Sequence, residues 1–223
     1  LSFTCAPYLL QSAPGLGEQV AWGESNAVVF ANSVLGARTQ KYADYLDICA
    51  ALVGRVPAAG PHLDHLRTAT LALDVSSLVE NGLLDACGDA FWPTLGYLCG
   101  NFAGARIPVV IGLESCRERI HQDDLKAFSA AFGTSGAAAL FHIAGVTPEA
   151  QGLMQAIGGK SGEEMETLKL VHKDFVAAWQ ALDSGTGDDA AAIQLVALGN
   201  PHLSVTEVAR IAELITRQGV GSK

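Results

Sequence analysis

From residue 107 onward, short apolar runs alternate with stretches whose apolar positions recur at helical spacing. IPVVIG (107–112) has strand character. QDDLKAFSAAF (122–132) carries acids at its start and Leu125, Phe128, Ala131 and Phe132 along one helical face, ahead of a breaker, Gly133-Thr134-Ser135-Gly136. AAALFHIAG (137–145) reads as the next strand, and Thr147-Pro148-Glu149 as a helix start with proline in the first helical position. Residues 163–182 predict a longer helix and SGTGDDA (184–190) a loop. IQLVALG (193–199) predicts another strand, and GNPH then leads into Ser204-Val205-Thr206-Glu207, an S-x-x-E capping box. Val205, Val208, Ile211, Ala212 and Ile215 mark one face of the helix that follows. This alternation predicts a layered α/β/α domain with a largely parallel sheet.

The first hundred residues are less regular. APGLGE (13–18) reads as a loop, VAW (20–22) as a short strand and SNAVVFANSVLG (25–36) as a helix ending at Gly36. A second helix near residues 43–53 stops at Gly54, and GRVPAAGPHLDHLR is an irregular connection rich in Gly and Pro. The pattern divides the chain into an irregular, motif-rich part, residues 1–104, and a layered α/β part, residues 105–223.

Composition adds bounds. With 223 residues, 49% of them hydrophobic, and a mean hydropathy of +0.27, the chain can bury a sizeable core. A net charge of −9 argues against nucleic acid or an anionic membrane as the partner. No apolar run approaches the roughly 20 residues of a membrane span. The chain begins LSFTCAPYLL without an initiator Met and reads as part of something longer. Five cysteines, Cys5, Cys49, Cys87, Cys99 and Cys116, form no C-x-x-C pair, which fits a reducing cytoplasm. Each reads first as a small buried apolar residue, Cys49 in its helical run above all.

Three segments hold more polar chemistry than packing requires. In GESNAVVFANSVLGART, Ser25 and Asn32 fall near one helical face, and Asn32 and Ser33 interrupt an apolar run that disfavours them. They read either as caps with a solvated edge or as the polar wall of a ligand pocket, with Arg38 and Thr39 placed to grip a carboxylate. His62-Leu63-Asp64 is a polar loop or a histidine oriented by an acid. GNPH, with Asn200 and His202, is a turn or a site, because ligands of parallel sheets gather at the carboxyl ends of strands. His142 reads as core, and His65, His121 and His172 as solvent-facing. No phosphate loop, G-x-G-x-x-G or G-x-S-x-G motif is present, which disfavours nucleotide hydrolysis, a Rossmann dehydrogenase and an α/β-hydrolase.

TCAPYLL (4–10), GEQVAWGESNAVVFANSVLGART (17–39), GPHLDHLR (60–67), LGYLCGNFAGARIPVVIGL (95–113), GAAALFHIAGVTPEA (136–150) and LVALGNPHLS (195–204) together resemble the large catalytic part of aconitase X, a divergent branch of the aconitase superfamily. The resemblance implies an aconitase-like fold and a hydro-lyase assisted by an iron–sulfur cluster. Two activities go with it: dehydration of cis-3-hydroxy-L-proline to 1-pyrroline-2-carboxylate, and dehydration of mevalonate 5-phosphate. The continuation TQKYADYLDICAALVGR (39–55) resembles the bacterial hydroxyproline type.

The resemblance also implies roles. Cys5 matches a cluster ligand. Many members have Cys where this chain has Asn200, so a two-iron cluster is expected over a four-iron one, unless Cys87, Cys99 or Cys116 substitutes. Iron would act as a Lewis acid on the leaving hydroxyl. Glu24, Ser25, Asn32, Ser33, Arg38, His62 and His202 are expected around the pocket: Arg38 binding carboxylate, His62 and Ser33 catalytic, Asn200 and His202 near the metal. The base is expected at least partly from a small swivelling domain or subunit, so this stretch alone should be inactive. The rival expectations are phosphomevalonate dehydration, with Arg38, Lys41, Arg55 and Arg67 as phosphate-binding candidates, and a non-catalytic binding or assembly module.

Overall fold

The computed structural model describes residues 4–159, 165–185, 195–199 and 202–218. Its centre is a parallel sheet of four strands, β1 (Leu71–Asp74), β2 (Pro108–Ile111), β3 (His142–Ile143) and β4 (Thr167–Lys169), in the order β3-β2-β1-β4. Its central strands are apolar on both faces, as a covered parallel sheet requires. Leu71, Leu73, Val110 and Ile143 enter the main core, where they meet Phe91, Leu95, Phe128, Phe132 and Phe175. Ala72 and Val109 face the other way, against Ala144, Ala150, Ala156 and Ile157.

The helices over the main core include α5 (Phe91–Ala103), α6 (Gln122–Ser135) and α8 (His172–Leu182). At Gly96 of α5 a Cβ would lie 2.3 Å from the Phe128 carbonyl oxygen of α6, so the close approach of the two helices needs a residue without a side chain. Before the sheet come α1 (Ser25–Phe30), which continues as a π-helical turn to Leu35, and α2 (Leu46–Val53). Gly36 (φ 67°) and Gly54 (φ 68°) end these two stretches, as expected. Short helices α3 (Ser76–Glu80), α4 (Leu83–Cys87) and α7 (Leu153–Ala156) fill connections, and α9 (Val205–Gln218) closes the described chain.

Several expectations are corrected. The sheet begins at Leu71, so a division at 104/105 would separate β1 from β2. VAW (20–22) forms no strand; a single bridge joins Gln19 to Arg38. α6 runs through Gly133-Thr134-Ser135 because the Thr134 and Ser135 hydroxyls bond carbonyls one turn back and Lys41 Nζ donates to the Gly133 and Gly136 oxygens at 2.8 Å. Of 137–145 only His142–Ile143 pairs as strand, since the N–H groups of Ala137 and Ala138 go to the Gly104 oxygen and that of Phe141 to Ser33 Oγ. Thr147-Pro148-Glu149 is a turn closed by Thr147 on Ile143, and not a helix start. The long helix expected over 163–182 is β4 followed by α8, with residues 160–164 outside the described set. Residues 195–199 form no strand, while 193–194 and most of the 184–190 loop lie outside the described residues.

The capping box at α9 forms as expected: Ser204 N donates to Glu207 Oε2 at 2.7 Å and Glu207 N to Ser204 Oγ at 3.1 Å. Its apolar face is not core, however, and Val205, Val208 and Ile215 are exposed. Polar contacts hold the helix instead, with Glu207 on Lys126, Ser204 on Asp123 and Arg210 on Asp89.

A buried ionic network joins the segment before β1 to the sheet. Arg67 is 3% exposed. Its Nε donates to Glu149, Nη1 to Asn32 Oδ1 (3.0 Å) and the Pro61 oxygen (2.8 Å), and Nη2 to the Asn32 oxygen (2.8 Å) and to Glu149. Arg38 reaches the same carboxylate through Nη2, 3.0 Å from Glu149 Oε1. One carboxylate thus serves two buried guanidiniums.

Two predictions follow from packing and charge. Gly96→Ala should destabilise the protein by about 1–3 kcal/mol, read from denaturant midpoints, while Gly152→Ala, where a Cβ meets nothing within 4 Å, should change little. Glu149→Gln should cost about 3 kcal/mol or more, because it leaves the buried Arg67 guanidinium without its counter-charge and Arg38 with Asp64 alone; an unchanged midpoint would show that the network contributes no stability.

Candidate active site

The polar residues of the ANSVLGART block turn out to be pins. Asn32, fully buried, donates to the Thr39 and Ala139 oxygens and accepts from Thr39 N and Arg67. Ser33 Oγ accepts the Phe141 N–H at 2.9 Å. Arg38 gives Nε to Asp64, Nη1 to the Gly36 oxygen and Nη2 to Glu149. In this geometry Asn32 has its side-chain oxygen and nitrogen both engaged within the protein, the Ser33 oxygen holds a backbone N–H, and Arg38 is paired with two carboxylates in place of the substrate carboxylate expected for it. Asp64 belongs to this network too, and does not orient His62.

His62, also buried, lies between Gln19 and Tyr42. Its Nδ1 is 2.6 Å from Gln19 Oε1, and its Nε2 contacts the Tyr42 hydroxyl. Burial, then the charge of Arg67, holds the imidazole below its usual range, and burial holds the Tyr42 phenol above its own. Tyr42 opens onto a cleft of about 750 Å³ whose walls include Trp22, Glu24, Asp44, Tyr45 and Asp47, with Thr4 at one side. The cleft is lined by three carboxylates and by no Lys or Arg among the described residues. Glu24, expected at the pocket, is on its wall; Ser25, the first residue of α1, is half-buried and does not line it.

The N-terminal TCAPYLL loop and His202 meet beside this cleft. Thr4 Oγ1 lies 2.9 Å from His202 Nδ1, 198 residues away. Lys126, 3% exposed on α6, donates to the His202 oxygen and pairs with Glu207. Asn26 holds the other side, donating to the Cys5 oxygen at 3.0 Å and to Glu24, and accepting from the Tyr8 hydroxyl at 2.8 Å. Burial first, then the neighbouring Cys5, Glu207 and Glu24, hold that phenol well above its usual range. Cys5 and His202 are therefore brought to the same end of the molecule; Asn200 lies outside the described residues.

Cys5 is half-buried, and among the described residues no three Cys, His, Asp or Glu side chains converge as metal ligands. Cys99 and Cys116 are buried, Cys99 within the main core, and Cys87 is half-buried. Cys49, expected inside, is exposed, because α2 buries only Ala50. The described residues therefore do not by themselves make up the ligand set of an iron–sulfur cluster. His142 is core, as expected, with Nε2 on the Arg67 oxygen at 2.7 Å.

Sequence reasoning noted Asn26 among the polar groups of its segment but gave it no place at the site, and it missed Gln19, Tyr42, Asp47 and Lys126. Asn26 sat inside a quoted motif and Lys126 on the polar side of a recognised helix, but neither carried a spacing signal that separated it from a solvated residue.

Comparisons with known proteins agree with this fold. The model of the aconitase X first domain matches residues 1–65, and that of the aconitase X second domain matches residues 69–180. The chain is 50% identical over 213 residues to the cis-3-hydroxy-L-proline dehydratase of Hypocrea jecorina and 52% identical over 213 residues to that of Pseudomonas aeruginosa, covering 96% of this chain and 34% of each relative. It is 36% identical over 216 residues to the phosphomevalonate dehydratase large subunit of Thermococcus kodakarensis, covering 97% of this chain and 50% of that protein. The crystal structure of Thermococcus kodakaraensis aconitase X in its holo-form superposes with a TM-score of 0.78 at 35% identity, over 97% of this chain and 50% of that one. The chain thus spans about a third of the length of the two hydroxyproline dehydratases it matches. Two consecutive domain matches, identity along nearly the whole chain and a like fold establish that this chain belongs to the aconitase X family.

Proposed function

We propose that the protein to which this chain belongs dehydrates cis-3-hydroxy-L-proline to 1-pyrroline-2-carboxylate. The observation that carries the choice of substrate is the charge of the cleft. Glu24, Asp44 and Asp47 line it, and the cations expected for a phosphate are engaged elsewhere: Arg38 and Arg67 on Glu149, Lys41 on the carbonyls ending α6. Arg55 contacts only the Gly54 oxygen among the described residues. A unit charge about 5 Å from a like charge costs about 3 kcal/mol at an effective dielectric near 20. A phosphate ester with a carboxylate would meet that repulsion more than once, whereas a zwitterionic imino acid brings an ammonium to offset it. The higher identity to the hydroxyproline dehydratases supports the same choice.

The reaction removes the α-proton and expels the 3-hydroxyl as water, and the resulting enamine gains a proton at C3 and loses one from nitrogen to become the cyclic imine. In this chain, the cleft would hold the imino acid, with Tyr42 and the carboxylates on its wall. His62 acts on the cleft only through Tyr42, since its other nitrogen is held by Gln19. The remaining length of the protein is proposed to supply the small domain, the base and a cation for the substrate carboxylate. Cys5 is proposed as one thiolate of an iron–sulfur cluster whose other ligands come from outside the described residues. Five free thiols support a reducing compartment, for which we propose the cytoplasm.

Assay of the full-length protein, reconstituted anaerobically with iron and sulfide, on cis-3-hydroxy-L-proline and on mevalonate 5-phosphate separates the readings. Turnover of the imino acid is expected; turnover of the phosphate ester alone would overturn the substrate assignment, and the absence of both iron and dehydration would favour a non-catalytic module. Cys5→Ser should lower the iron bound per chain, and an unchanged iron content would exclude Cys5 as a ligand.

A further inference from the structure

The chain of hydrogen bonds behind the cleft fixes what Tyr42 can offer a ligand. Gln19 Nε2 donates to the His62 carbonyl oxygen at 3.2 Å. A carbonyl only accepts, so the amide is oriented with Oε1 toward the ring, where it lies 2.6 Å from Nδ1. Nδ1 therefore carries the hydrogen. With the imidazole held neutral by burial and by Arg67, Nε2 keeps its lone pair, and the Tyr42 hydroxyl in contact with it must donate. The phenol's one hydrogen is used inside the wall, so the hydroxyl of Tyr42, a residue of the cleft wall, keeps only acceptor capacity.

We propose that Tyr42, held as an acceptor by His62 and Gln19, receives an N–H of the substrate's ring ammonium and so sets the cleft's preference for a cationic amine. This rests on the hydroxyproline reading for the identity of the substrate. Its surroundings suit the same group. Asp47 Oδ2 lies 3.1 Å from where a Cβ on Gly23 would be, so the missing side chain lets a carboxylate reach the cleft. Trp22 and Tyr45 add aromatic faces, which attract cations. Gln19 and His62 are positioning residues that act through Tyr42.

The test compares two ligands of one shape on the full-length protein by calorimetry: L-proline, and tetrahydrofuran-2-carboxylate, in which oxygen replaces the ring ammonium. The wild type is expected to prefer L-proline. Tyr42→Phe should reduce that preference about tenfold or more while leaving the oxygen analogue within about twofold, in line with the strength of hydrogen bonds to charged groups. Gln19→Leu, at an exposed position, should erode the preference without disturbing the fold, and Gln19→Glu, which keeps an acceptor for Nδ1, should retain it. Equal binding of the two ligands by the wild type, or a preference untouched by both Tyr42→Phe and Gln19→Leu, would overturn the proposal. Turnover of cis-3-hydroxy-L-proline is measured on the same preparations. A Tyr42-dependent preference without turnover would uphold the inference and reject the substrate reading; turnover with a Tyr42-independent preference would do the reverse.

Discussion

The arrangement depends on the Arg67 guanidinium, buried just before the central strand with all of its nitrogens engaged. A charge in that position is tolerable only if every donor finds an acceptor and a carboxylate lies alongside. Glu149 supplies the carboxylate from the turn after β3, and Asn32 supplies two oxygens from the π-helical turn that extends α1. The same contacts therefore tie the N-terminal segment, the start of β1 and the loop after β3 into one arrangement. The placement of Gly36, Arg38 and Thr39 follows from it, since Asn32 also holds Thr39 and Glu149 also holds Arg38.

That commitment of cations shapes the chemistry of the neighbouring cleft. Arg38, Arg67 and Lys41 neutralise or cap structural groups, so the carboxylates of Glu24, Asp44 and Asp47 face the cleft without a cationic residue on its wall among the described residues. The cleft's electrostatic character thus comes from what the network removes as much as from what lines it. Lys126 has a comparable role at the other end, where it brings His202 and Glu207 beside the loop that carries Thr4 and Cys5.

The parts of the fold legible in the sequence were those with a local cause. Alternating apolar runs located β2, acids and spacing located the start of α6, and Gly36, Gly54 and the Ser204–Glu207 box marked helix ends that the structure reproduces. β1 escaped because four residues, LALD, carry too little pattern to separate a buried strand from any short apolar run. The extent of α6 was misjudged because Lys41, far away in sequence, satisfies the carbonyls at its C-terminus. At the site, residue types alone did not show which polar groups the fold already holds. Asn32, Ser33 and Arg38 looked like ligand-binding groups, since nothing local to them shows that Arg67, Phe141 and Glu149 already hold them. Tyr42 and His62 stand 20 residues apart on irregular connections, where no periodicity could have paired them.

On the proposed reading, the buried arginines build the site without binding substrate, which leaves recognition of an imino acid to an acceptor-lined cleft. The most direct measurement is a crystal structure of the full-length protein with L-proline bound. The ring nitrogen should lie about 3 Å from the Tyr42 oxygen, with Arg38 still on Asp64 and Glu149 and Arg67 still on Glu149. A guanidinium of Arg38 or Arg67 turned from Glu149 onto the ligand carboxylate would contradict the account.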